Sequence, residues 1–163
     1  MRLTLTSAVC AVALASAANA ASQRPSSSAV PISTLARPAL PAAAVVDAFH
    51  DALQGGNTKT ALGFLTSDAL IFEAGGVERG KAEYASHHLA ADAAFSQAVP
   101  AVITRRAGQA VGEIAWIATE GRTTGTYKGK PVNRRTVETM VLRRTATGCK
   151  IAHIHWSSAA GGK

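Results

Sequence analysis

The stretch GEIAWIATEGRTTGTYKGKPVNRRTVETMVLRRTATGCKIAHIHWSS, residues 112–158, decides the fold. Apolar and polar residues alternate along it with a period of two, and short turns rich in Gly, Lys and Thr interrupt the alternation. We therefore expect strands at 112–127, 132–144 and 149–158, preceded by a strand at 101–106. The two middle strands are long, and long strands in a small sheet usually curl. The sequence predicts a curved antiparallel sheet.

Helical patterns precede these strands. Val46, Phe49 and Leu53 recur at helical spacing up to a pair of glycines at 55 and 56, which end the helix. A short second helix, a strand at 69–73 and a third helix at 81–98 follow. Helices first and an antiparallel meander last indicate an α+β domain. We expect a cone-shaped sheet wrapped around the N-terminal helices, with a pocket between the two layers.

Composition limits the class of protein. The chain has 163 residues, of which 47% are hydrophobic and 17% are charged, and it contains two cysteines. A disordered chain, a coiled coil and a disulfide-rich miniprotein are therefore excluded. The length allows one domain with a core of its own, which we place at 42–158.

The first residues have the pattern of an export signal. Arg2 is followed by a short apolar run and a small-residue site at 18–20, so we expect a signal peptide at 1–20. Residues 21–41 are rich in Ser, Ala and Pro and predict an extended tether, and residues 159–163 predict a flexible tail. The protein is then periplasmic or secreted, without a stable membrane anchor. Cys149 is the single cysteine left after cleavage.

The formal charge is +7, with 17 Lys and Arg against 10 Asp and Glu. The basic residues occur in pairs near predicted strand ends and are not interleaved with exposed aromatic residues, so we expect no nucleic-acid partner. Anionic small ligands and membrane head groups remain open as partners of this charge.

Several segments carry a family resemblance. They are the hairpin GKP at 129–131, the strand VETMVLRR at 137–144 and the terminal strand KIAHIHWSS at 150–158. With the order of elements, they resemble the nuclear transport factor 2-like superfamily, and within it the SnoaL-like domains and the association domain of calcium/calmodulin-dependent protein kinase. The resemblance implies the α+β cone. It leaves the reaction open, because this fold carries isomerases, cyclases, dehydratases, ligand binders and oligomerisation modules.

The terminal strand offers candidate catalytic groups. Alternation places His153 and His155 on one face and Ile154 and Trp156 on the other. If the histidines face the pocket, either can act as a general base or hydrogen-bond donor. Alternatively, they are structural histidines that tie the strand to its neighbours.

The preceding strand and the third helix offer further pocket residues. Glu138 and Met140 share a strand face, so Glu138 is either a pocket carboxylate that orients a histidine or a solvent-facing partner of a nearby arginine. On the helix, Tyr84 and His88 share a face that we expect to point at the sheet. Asp92, four residues after His88, can hydrogen-bond to it.

The sequence does not favour a metal centre or a cysteine nucleophile. His88, Asp92, His153 and His155 are suitable side-chain types for zinc or copper, but their spacing is not a metal signature. Cys149 has no base or helix N-terminus beside it in the sequence. We therefore expect no metal and no cofactor.

The face occupied by Trp116 stays open. If it points outward, it marks a sheet-to-sheet homodimer contact, which Trp156 would join. The sequence thus predicts a domain that binds a small, partly apolar molecule in its pocket. Any reaction would be cofactor-free acid–base chemistry of the isomerase, cyclase or hydratase type. A non-catalytic oligomerisation or partner-binding module is the alternative.

Overall fold

The computed structural model describes residues 32–162 and confirms the α+β class, with a sheet curled around N-terminal helices. The helices are α1 (Leu40–Gln54), α2 (Thr58–Gly63), α3 (Lys81–His87) and α4 (Leu89–Ala98). The strands are β1 (Ile32–Leu35), β2 (Leu65–Glu73), β3 (Gly76–Arg79), β4 (Ala101–Val111), β5 (Ile114–Tyr127), β6 (Lys130–Thr145) and β7 (Gly148–Ala160).

The strands form one sheet in the order β1-β4-β5-β6-β7-β2-β3. The central meander β4 to β7 is antiparallel, as expected. The flanks differ from the prediction, because β1 pairs with β4 and β2 pairs with β7 in parallel. Helices lie between β1 and β4 and between β2 and β7 in the chain, and helical crossovers are what parallel pairing requires.

Local sequence explains where the elements end. Gly55 caps the C-terminus of α1, and the Asn57 side chain accepts a hydrogen bond from the Thr60 amide at 3.1 Å to cap α2. Ala74 and Gly75 form the two-residue turn between β2 and β3, both with positive φ. Such turns match the right-handed twist of paired strands. Gly75 adopts its positive φ without steric cost, whereas Ala74 adopts one despite its Cβ atom.

The core lies between α1, α3 and the inner face of the sheet, which we define as the face turned towards these helices. Burial of apolar surface here is the main source of stability. The largest fully buried side chains are Val46, Phe49, Leu53, Tyr84, Val99, Ile117, Met140, Leu142, Ile151 and Ile154.

Some predicted boundaries were wrong. The signal peptide lies outside the described residues, but part of the expected tether does not: residues 32–35 form β1 and a 3-10 turn over Arg37–Ala39 leads into α1. Backbone pairing with β4 orders a segment whose composition alone indicates a tether. At the other end, Ala159 and Ala160 belong to β7 rather than to a tail.

The third predicted helix is also divided, because it breaks at His88 into α3 and α4. Within residues 32–162, no helix is both long and apolar enough to cross a membrane.

Candidate functional site

Strand β7 turns its tryptophan, not its histidines, towards the helices. The Trp156 ring stacks on Phe49 of α1 at a centroid distance of 6.3 Å and lies 6.4 Å from the Tyr84 ring of α3. Ile154, two residues before it, is fully buried. Trp156 therefore packs between the sheet and the helices, and the expectation that it joins an outer dimer contact was wrong.

His153 and His155 lie on the opposite, outer face of the sheet. Both rings pack edge-on against Phe72 of β2, at centroid distances of 5.1 and 6.1 Å, and His153 Nδ1 is 2.8 Å from the Leu70 carbonyl oxygen. The expectation that they project into the pocket was wrong.

A bulge explains the error. Leu142 pairs with Ile151, but the next residue back, Val141, pairs with His153, which leaves Ala152 extra. An extra residue reverses which alternate positions face the core. The odd-numbered Ile151 is therefore buried before the bulge, and the even-numbered Ile154 is buried after it.

Glu138 of β6 is the centre of a buried polar network on the inner face. Its residue is 8% exposed, and its Oε2 atom accepts hydrogen bonds from Trp156 Nε1 and from the His50 imidazole Nε2, both at 2.7 Å. The second oxygen, Oε1, is buried and has no hydrogen-bond partner. The structure therefore contradicts the solvent-facing interpretation of Glu138, and the histidine that contacts Glu138 is His50 of α1.

The charges of this pair reinforce one another. Burial alone would lower the pKa of His50, but the hydrogen bond to Glu138 and the charge of Glu138 raise it above its ordinary value of 6.5. Burial alone would raise the pKa of Glu138, but the bonds from His50 and Trp156 bring it below its ordinary value of 4.5. The pair therefore exists as imidazolium and carboxylate between the lowered pKa of Glu138 and the raised pKa of His50.

A second ion pair lies beside it. The buried Arg106 guanidinium of β4 contacts Asp47 of α1 at 2.5 Å and donates to Thr119 Oγ1 at 3.2 Å. Neither His50 nor Arg106 was predicted from the sequence as a functional residue. His50 carries a signal that could have revealed it, because it follows Val46 by four residues and thus belongs to the buried stripe of α1.

A pocket lies next to this network, between the β2–β3 hairpin and α3. It has a volume of about 180 Å³. We call it the hairpin pocket, and its lining residues are Ile71, Glu73, Ala74, Gly76, Val77, Glu78, Tyr84 and His88. Tyr84 also contacts Trp156, so this side chain separates the hairpin pocket from the Glu138 network.

Two of the predicted pocket residues, Tyr84 and His88, line the hairpin pocket, but their hydrogen bonds differ from those expected. Tyr84 is fully buried and donates from its hydroxyl to Asp92 Oδ2 at 2.9 Å. His88 is bonded through Nδ1 to Glu78 Oε1 rather than to Asp92. The break of the helix at His88 turns its ring from the expected stripe towards β3.

The carboxyl groups around Tyr84 resist ionisation. Burial is the main cause that raises the pKa of Asp92, and the Tyr84 hydrogen bond offsets only part of this effect. Burial, followed by the charge of Asp92, raises the pKa of Glu73 above its ordinary value of 4.5. Burial, followed by the charge of Asp92, raises the pKa of Tyr84, so its hydroxyl keeps its proton.

The remaining predicted residues are placed as follows. Met140 is fully buried in the core opposite Ile154 and does not line the hairpin pocket. Trp116 points outward and is 39% exposed, which settles the face left open by the sequence. Cys149 is a partly buried free thiol.

The four candidate metal ligands do not come together. His153 and His155 are on the outer face, whereas His88 lines the hairpin pocket and Asp92 contacts Tyr84.

Comparison with solved structures shows which proteins share this architecture. A candidate ketosteroid isomerase from Shewanella frigidimarina is 39% identical, over 72% of this chain and 94% of that chain, with a TM-score of 0.69. A candidate calcium/calmodulin-dependent protein kinase II association domain from Xanthomonas campestris is 20% identical, over 72% and 85% of the two chains, with a TM-score of 0.62. A candidate dehydratase of the nuclear transport factor 2-like family from Streptomyces avermitilis is 19% identical, over 74% and 95%, with a TM-score of 0.64.

At their lower identities, the last two show a shared fold only. No curated protein matches the sequence significantly. The SnoaL-like domain family, in contrast, matches residues 42–161, which is most of the chain. The protein is therefore a member of the SnoaL-like domain family.

Proposed function

We propose that the protein binds a small, partly apolar carbonyl compound in the hairpin pocket and moves a proton on it without a cofactor, as an isomerase-type enzyme. One observation carries the proposal: Glu73 lines the same cavity as the buried Tyr84 side chain. Burial, followed by the charge of Asp92, also raises the pKa of the Glu73 carboxyl group. Perturbed acids in a concave site are typical of proton-transfer chemistry. The similarity to the candidate ketosteroid isomerase supports the same class.

Glu73 is the proposed base. Its carboxylate would take a proton from the carbon next to the carbonyl group and return it to another carbon of the resulting enolate. A general base works best when its pKa lies near the working pH, and the raised pKa of Glu73 moves it in that direction.

Tyr84 is the proposed donor to the enolate oxygen. At rest its hydroxyl donates to Asp92. The pKa of Asp92 is raised, so its carboxyl group is protonated more readily than an ordinary aspartic acid. Once protonated, Asp92 can donate to the Tyr84 oxygen, and the Tyr84 hydrogen becomes free to point at the ligand. The pair would thus supply a donor where negative charge develops.

The size of the cavity limits the ligand. Pockets for drug-sized molecules have volumes of roughly 300–1,000 Å³, and the hairpin pocket has about 180 Å³. Ile71 and Val77 provide apolar wall, while the polar groups are few. We therefore propose a compound of about one ring, or one ring of a larger molecule whose remainder stays outside.

The test is proton exchange at carbon. Cyclic enones and ketones of one to four rings are incubated in deuterated water with wild-type protein, and NMR follows the loss of the protons next to the carbonyl group. We expect faster exchange for at least one small compound, and a loss of about 100-fold or more in Glu73→Gln, because general acid–base catalysis contributes about 10²–10⁴-fold. As the pH is lowered, the exchange rate should fall at a pH above 4.5, because protonated Glu73 cannot accept a proton from the substrate.

Glu120→Gln is the matched control, because Glu120 is an exposed glutamate away from the pocket. It should exchange protons as fast as wild type. Equal rates in Glu73→Gln and Glu120→Gln, or no acceleration by wild type for any compound, would reject the proposal.

The outer face favours a second role in assembly. Trp116, Ile114 and Val137 are 39%, 46% and 53% exposed on this face. Exposed apolar patches of this kind often mark protein interfaces. We propose that two copies pair through this face. Sedimentation velocity should give a dimer for wild type and a monomer for Trp116→Lys, and a monomeric wild type would contradict the pairing.

We further propose that the protein acts after export, in the periplasm or outside the cell, on the basis of its N-terminal sequence. Mass spectrometry of the protein isolated from its native cell should show a new N-terminus close to residue 21. An uncleaved chain in the cytoplasmic fraction would contradict this localisation.

A further inference from the structure

A cluster of three metal-ligand side chains lies at the β3 edge of the sheet, and one of the three, Glu78, also lines the hairpin pocket. Glu78 comes from β3, and Glu83 and His87 come from α3, four residues apart and therefore on one helix face. One potential ligand atom from each of the three lies within 4.8 Å of the others. We call this set the edge cluster, and we propose that it binds a zinc ion.

The buried carboxylate of Glu78 is the first argument. This residue is 5% exposed, and its Oε1 atom is held by His88 Nδ1. Its Oε2 atom is buried without a hydrogen-bond partner, although His87 Nδ1 is only 3.3 Å away. A buried acceptor that is left unsatisfied costs about 1–3 kcal/mol, and more when it is charged, so such groups require an explanation. A cation between Glu78 and His87 would supply the missing partner.

The geometry of the other two groups is compatible with a shared ion. Glu83 Oε2 accepts a hydrogen bond from the Arg79 backbone amide at 2.5 Å. This bond fixes the Glu83 side chain near the start of α3 and leaves its other carboxylate oxygen free for an ion. His87 is exposed at the end of α3, so a solvated ion can reach its ring. His88 is hydrogen-bonded to Glu78 Oε1, the oxygen that does not face His87, and hydrogen bonds of this kind orient metal-bound carboxylates.

The donor set favours zinc over the hard cations. Ca²⁺ and Mg²⁺ prefer sites made of oxygen alone, whereas an imidazole with carboxylates suits Zn²⁺ and other transition metals. Three protein ligands leave one tetrahedral position for water. An ion here would tie the β2–β3 hairpin to α3, and Glu78 would connect it to the wall of the hairpin pocket. The zinc site would exist whether or not Glu73 transfers protons.

Titration of untagged, chelator-treated protein with zinc chloride tests the inference. Calorimetry should give one zinc per chain for wild type, and Co²⁺ should give the visible absorption typical of a tetrahedral site. Glu83→Gln keeps an acceptor for the Arg79 amide but loses the charge, and His87→Asn loses the imidazole. Each should weaken binding at least tenfold, while circular dichroism shows an intact fold.

His155→Asn is the matched control, because His155 is an exposed histidine on the outer face. It should bind zinc as wild type does. The inference is overturned if wild type binds less than one equivalent, if His155→Asn loses zinc as His87→Asn does, or if Ca²⁺ saturates the site and zinc does not.

Discussion

The two faces of β7 carry similar residue types in very different surroundings. On the inner face, Trp156 stacks on Phe49 and donates to Glu138, which also holds His50. On the outer face, His153 and His155 pack on Phe72. The same ingredients, imidazoles and an aromatic ring, form an ion-paired network inside and a surface patch outside. The face on which a residue lies, rather than its type, therefore decides whether a histidine is placed for interior chemistry.

The largest expected contrast is in packing. Trp156→Ala should lower the free energy of unfolding by about 3 kcal/mol, because it removes a large ring from between Phe49 and Tyr84 and leaves Glu138 with one bond fewer. The neighbouring change His155→Ala should cost no more than about 0.5 kcal/mol, as is typical of surface positions. Urea denaturation measures the free energy of unfolding of both variants. Equal losses of stability would contradict the distinction between the inner and outer faces.

A smaller effect is expected from the buried carboxylate. Glu138→Ala should cost about 2 kcal/mol, since it leaves the Trp156 indole N–H and the His50 ring without their acceptor. This figure is below that for a fully buried ion pair, because the His50 side chain is 41% exposed. Thr139→Ala, the next residue on β6 and exposed on the other face, is the control. A near-neutral Glu138→Ala would show that the network contributes little to stability.

The smallest effect concerns pH. The pKa of His50 is raised above 6.5, so its pairing with Glu138 stabilises the fold fully below pH 6.5 and is lost as the pH rises through the raised value. The pKa of Glu138 is lowered below 4.5, so its contribution is present above pH 4.5 and is lost as the pH falls through the lowered value. The stability advantage of wild type over His50→Gln should therefore be largest between these limits.

We expect this advantage to be about 1 kcal/mol or less, because the imidazole is partly solvated. Thermal unfolding across the pH range measures it. His155→Gln serves as the control, since His155 does not contact Glu138 and the variant should show no such maximum. An advantage of wild type that grows steadily above pH 7 would contradict the ion-pair interpretation.

Much of the architecture follows from the sequence, because it depends on periodicity. The change from helical spacing around Phe49 to alternation after residue 100 predicts helices followed by a meander. Strand register does not follow, because it depends on pairing across the sheet. The bulge at Ala152 reverses which side chains of β7 face the core after that residue, and so places His153 and His155 on the outer face.

The candidate site was predictable only in part. Tyr84 and Asp92 lie on one face of a helical pattern, which predicts their proximity to the sheet. The partner expected for Asp92 was His88, whereas the structure gives it Tyr84. Glu73 and His50 were not recognised, since their importance arises from contacts between elements that are distant in the chain. Glu138 and His50, for example, are separated by 88 positions. A pattern in one segment cannot reveal such a partner.

The short strand β1 has a practical consequence for anyone who shortens this protein. It lies before residue 42, where the match to the family begins, yet it pairs with residues 105–108 at the otherwise free edge of the eleven-residue strand β4. An uncovered edge of this length presents unpaired backbone groups on which other chains can aggregate. A truncated form that starts at the family boundary should therefore be less soluble than one that retains residues 32–35.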